Sequence, residues 1–60
     1  MHNSEELIKR ITDSAQAIEE ASVSVYMETQ DQALKDQMSL IEEKAKDIAQ
    51  AIRWLSENLG

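Results

Sequence analysis

Val25-Tyr26-Met27-Glu28-Thr29-Gln30-Asp31-Gln32-Ala33-Leu34 is the stretch on which the fold turns. Its centre, Glu28 to Gln32, is five polar residues in a row, longer than one helical turn, so no apolar helical face passes through it. Apolar residues recur at alternating steps of three and four on both sides. Upstream they are Ile8, Ile11, Ala15, Ile18, Ser22 and Val25; downstream, Leu34, Met38, Ile41, Ala45, Ile48, Ile52 and Leu55. Each series is one face of a helix. The nine residues from Val25 to Leu34, at about 100° each, would put the two faces on opposite sides of a single straight rod. Burying both therefore requires the chain to double back, which pairs Val25 with Leu34, Ser22 with Met38, Ile18 with Ile41, Ala15 with Ala45, Ile11 with Ile48 and Ile8 with Ile52. Large residues meet large and small meet small. The spacing predicts an all-α, coiled-coil-like antiparallel two-helix hairpin.

End signals set the expected boundaries. Asn3 followed by Glu6 has the form of a capping box, and Glu5 and Glu6 place negative charge at the positive end of a helix dipole, so helix one is expected over 4–28. Thr29 and Gln32 have the spacing of a second capping box, giving a turn at 29–31 and a helix two from near Gln30 to Asn58, with Gly60 as a stop. The 60 residues are read as one hairpin unit. Glu5 with Lys9, Glu6 with Arg10 and Glu42 with Lys46 stand four apart, acid before base, and are expected to pair on solvated faces.

Composition narrows the chemistry. The absence of cysteine excludes disulfides and thiolate metal sites. No apolar run nears the roughly 20 residues of a membrane span, and Met1 to Glu6 lacks the pattern of a signal peptide, so a soluble, cytoplasmic protein is expected. Six basic against twelve acidic residues leave a net charge of −6, which disfavours nucleic acid and anionic membranes and favours basic or neutral partners. His2, the lone histidine, precedes the first cap, and Ser14, Ser22, Ser24, Ser39 and Ser56 have no base within a folded element. Glu19, Glu20, Glu42 and Glu43 lack the Glu-x-x-His spacing of bundle metal sites. The expectation is no catalytic residue, no metal and no cofactor.

Two helices touching along one seam cannot hide every apolar residue of this chain. The surplus, Leu7, Ala21, Tyr26, Leu40, Ala51 and Trp54 foremost, is the candidate interface, and the expected partner is a second copy that completes a four-helix bundle. Trp54 is expected to anchor in a partner groove or to seal the bundle end near Leu7. Tyr26 and Met27 are expected to pack under the turn. The alternative function is a small acidic chaperone or regulator that receives a helical or basic segment of a different protein.

In length, central turn and layering of small and large residues, the chain resembles the Rop family of plasmid-encoded helical hairpins, a likeness that implies dimeric four-helix bundles. That family binds RNA through a basic and polar face. Here Lys9, Arg10, Lys35, Lys44, Lys46 and Arg53 are dispersed, so RNA binding is not implied. Residues 42–55, about a quarter of the chain, are similar to the closing helix of the small hairpin co-chaperones that hold type III secretion needle subunits. This second resemblance implies partner contact through Leu40, Ala51 and Trp54, although those proteins often turn at a glycine, where this chain has Gln30, Asp31 and Gln32.

Overall fold

The computed structural model of the chain describes residues 3–59, which form α1 (Asn3–Glu28) and α2 (Gln32–Leu59) packed against each other. Helices of 26 and 28 residues rise about 39 and 42 Å, and the molecule is 47 Å long, so the chain is doubled over and not extended as a rod. The cap expected of the Asn3 side chain, the place of His2 and the stop at Gly60 lie outside the described residues.

Helix two begins at Gln32, not near Gln30, and its cap is Asp31, not Thr29. Asp31 Oδ1 accepts from the backbone N–H of Ala33 at 2.9 Å and of Leu34 at 3.3 Å, and the Asp31 carbonyl accepts the first helical bond from Lys35 at 3.0 Å. Thr29 Oγ1 instead accepts from Asp31 N–H at 3.1 Å, folding the turn on itself. The Gln32 amide donates to Asp36 Oδ1 at 3.0 Å and does not return to Thr29. Carboxylate outcompetes hydroxyl here because an ionised acceptor at a helix N-terminus gains from the dipole as well as from the hydrogen bonds. The turn needs no glycine, since no described residue has a positive φ.

Among the described residues only Ala15, Ala45 and Ser22 are buried, at 3%, 2% and 4% exposure. Beside them the half-covered residues are Ile8, Thr12, Glu19, Met38, Glu42, Ala49 and Ile52, with Thr29 and Lys35 at the tip. The seam therefore runs along Ile8, Ala15 and Ser22 against Met38, Ala45 and Ile52. The other half of each apolar series stands to one side. The physical reason lies in side-chain size: Ala15, Ala45 and Ser22 let the backbones approach closely, and a close approach leaves no room between the axes for the bulky column about 60° around each helix. Ser22 Oγ enters the seam without an orphaned polar atom because it donates to the Ile18 carbonyl at 2.7 Å; Thr12 Oγ1 does the same to Ile8 at 3.0 Å.

Candidate association faces

The displaced columns are Ile11, Ile18 and Val25 on α1, seven residues apart, and Leu34, Ile41, Ile48 and Leu55 on α2, also seven apart. Each of the seven is 37–47% exposed. In an antiparallel pair the two columns fall on the same side of the seam, and a groove of about 230 Å³ lined by Ile11, Ile18 and Ile48 with Arg10, Ser14 and Ala15 joins them across it. One face of the hairpin is thus a ladder of large aliphatic side chains, half covered by their own neighbours and half open. The broad side of the hairpin that carries it spans the full 47 Å length and 17 Å width of the molecule, and the ladder runs along part of that side.

The six residues singled out from the sequence do not gather into one strip. Leu7, Ala21 and Ala51 lie one column beyond the aliphatic ladder and border it. Leu40 and Trp54 occupy a column on the back of α2, away from α1. Trp54 is 61% exposed and Leu7 is exposed too, so neither closes the end of the single hairpin. Tyr26 lies on the other side of the seam from the ladder. It and Met27 do not pack under the turn: Met27 is 78% exposed, because a three-residue connection brings no chain back over the tip. Tyr26 is covered on one ring face by Lys35, whose Nζ is 5.3 Å from the ring centroid.

That second side holds its own groove, of about 440 Å³, lined by Val23, Tyr26, Met27, Met38, Ser39 and Glu42 with Ser22 at its base. Charge is distributed to match. Residues 17–43, the half nearest the turn, hold seven acidic residues and only Lys35 as a base, a net −6; the remaining residues hold five of each sign and balance. Of these acids Glu19 and Glu42 stand nearest this groove, with Lys35 and Lys46 on the same side, while Glu28 lies toward the ladder.

Two of the ion pairs belong to the solvated face of α1, and the third lies on the rim of the second groove. Arg10 meets Glu6 at 3.8 Å and Lys46 meets Glu42 at 3.7 Å, while Lys9 turns forward to Asp13 at 3.5 Å and not back to Glu5. Such exposed pairs each contribute a few tenths of a kcal/mol. Among the described residues no three His, Asp or Glu side chains converge as metal ligands would, and no helix is long and apolar enough to cross a membrane.

The aliphatic ladder went unseen as a separate surface in the sequence because both columns satisfy the same three-four spacing. The signal that separates them is size: the column with Ala15, Ser22 and Ala45 is small at its centre, and the column with Ile18 and Ile41 is uniformly large. No family model, no curated protein and no solved structure matches this chain.

Proposed function

We propose that the chain is a non-enzymatic association module in which two copies bury their aliphatic ladders against each other to make a four-helix bundle. The observation that carries this reading is the ladder itself: seven large residues, heptad-spaced, on one face, each 37–47% exposed. A row of seven half-open aliphatic side chains is costly to leave in water, and a hairpin of this size whose buried residues, among those described, are two alanines and a serine has too little core to stand alone. A second copy supplies matching layers, with isoleucine facing isoleucine at the middle of the ladder. Ala15 and Ala45 keep each hairpin thin enough for the large layers of the pair to interdigitate.

Sedimentation equilibrium tests it. The chain is expected to run as a dimer, Ile18→Lys and Ile41→Lys as monomers with reduced helicity, and Gln50→Lys, on the exposed outer face of α2, as a dimer. A well-folded wild-type monomer at roughly 100 μM would overturn the reading, since a standard interface holds well below that concentration.

A further inference from the structure

We propose that the groove between Val23, Tyr26, Met27 and Met38 is a second, independent docking site, and that its occupant is a basic amphipathic segment of another protein. It lies on the opposite side of the seam from the aliphatic ladder, so pairing of two copies leaves it open. Its walls are apolar and its most prominent wall is adaptable: Met27, at 78% exposed, has an unbranched thioether that adjusts to the side chain it meets. Its surroundings bias the sign of the partner. Glu42 lines it, held only by an exposed pair with Lys46 at 3.7 Å, Glu19 lies on the same side of α1 one helical turn before Val23, and Glu20 and Glu43 stand in the next column out, so four acids border it against Lys35 and Lys46. Lys35 over the Tyr26 ring is an internal example of the contact a partner's Lys or Arg would make. A trough between two side-by-side antiparallel helices suits a third helix that lays one or two large apolar side chains into it and holds its basic residues toward the carboxylates at the rim.

Titration of the full chain with a synthetic Lys/Leu peptide, its leucines confined to one helical face, tests the assignment. Backbone amide shifts are expected at Val23, Tyr26, Met27, Met38 and Ser39 and not at Ile11 or Ile48, with the sedimenting assembly otherwise unchanged. Met27→Gln, at a position too exposed to affect folding, is expected to weaken binding about tenfold, from the apolar contact it removes. Glu42→Gln is expected to flatten the fall in affinity between about 50 and about 500 mM salt. A Glu/Leu counterpart of the peptide is expected not to bind. Three results would overturn the proposal: no binding of the Lys/Leu peptide, equal binding of a scrambled peptide whose leucines share no face, or shifts centred on Ile11 and Ile48. The last would assign the peptide to the ladder. Loss of the dimer on its own would sink the self-association reading and leave this site standing.

Discussion

At the scale of single residues, Asp31 and the seam alanines decide the hairpin. Asp31 Oδ1 serves two N–H groups of α2 while Thr29 Oγ1 closes the turn before it, so the two side chains divide the work of reversing the chain. Asp31→Ala is expected to cost about 1 kcal/mol, a fall of several degrees in Tm by circular dichroism, and Thr29→Ala less than half of that. The sequence pattern pointed to Thr29 as the cap and left Asp31 as one polar residue of the turn, because which residue caps depends on where the backbone becomes helical, and here that is two residues further on. Ala45 has the opposite history: its pairing with Ala15 is legible from the mirror symmetry, and both are buried. Ala45→Leu is expected to cost about 1–3 kcal/mol in urea denaturation, because added methylenes at the closest approach force the helices apart.

At the scale of elements, α1 and α2 form around the three-four apolar spacing of Ile8–Val25 and Leu34–Leu55, and each runs about a turn past it at the end away from the tip. α1 ends less favourably than α2 begins. It carries acidic Glu5 and Glu6 in its first turn, as the dipole favours, but no base in its last turn, where Glu28 stands at the negative end. Glu28→Lys is expected to stabilise the fold by about 0.3–1 kcal/mol, and the gain should shrink as salt is raised. A gain that persists in high salt would assign Glu28 a role other than charge. The i,i+4 ladders illustrate the limit of sequence at this scale: Glu6 and Glu42 take their expected bases, while Lys9, with an acid four residues away on either side, takes Asp13. Exposed pairs are so nearly equal in energy that spacing alone does not choose between them.

At the scale of the whole molecule, two asymmetries matter: one face is aliphatic, and one half is acidic. The proposed pairing through the ladder would make stability depend on concentration, so the melting midpoint is expected to rise as the chain is concentrated, and a midpoint unchanged by a hundredfold dilution would count against self-association. In the proposed pair the charge asymmetry is expected to set the orientation. Two hairpins with their tips at the same end would set −6 against −6, whereas tips at opposite ends place each acidic half beside a balanced one. Spin labels on Gln30→Cys in the two copies are expected about 45 Å apart, close to the helix length; a separation under about 20 Å would mean tips side by side.

The sequence by itself determined that there are two helices, that they reverse within Glu28 to Gln32, and which residues of one helix stand level with which of the other. All of that follows from periodicity and from a polar interval longer than a helical turn, which are properties of the chain in one dimension. Tertiary structure alone decided which half of each apolar series is spent inside the hairpin and which is left over. That choice rests on how closely two helix axes approach, set jointly by Ala15, Ser22 and Ala45 on facing backbones, and it turns one uniform stripe into a narrow seam and an open aliphatic ladder.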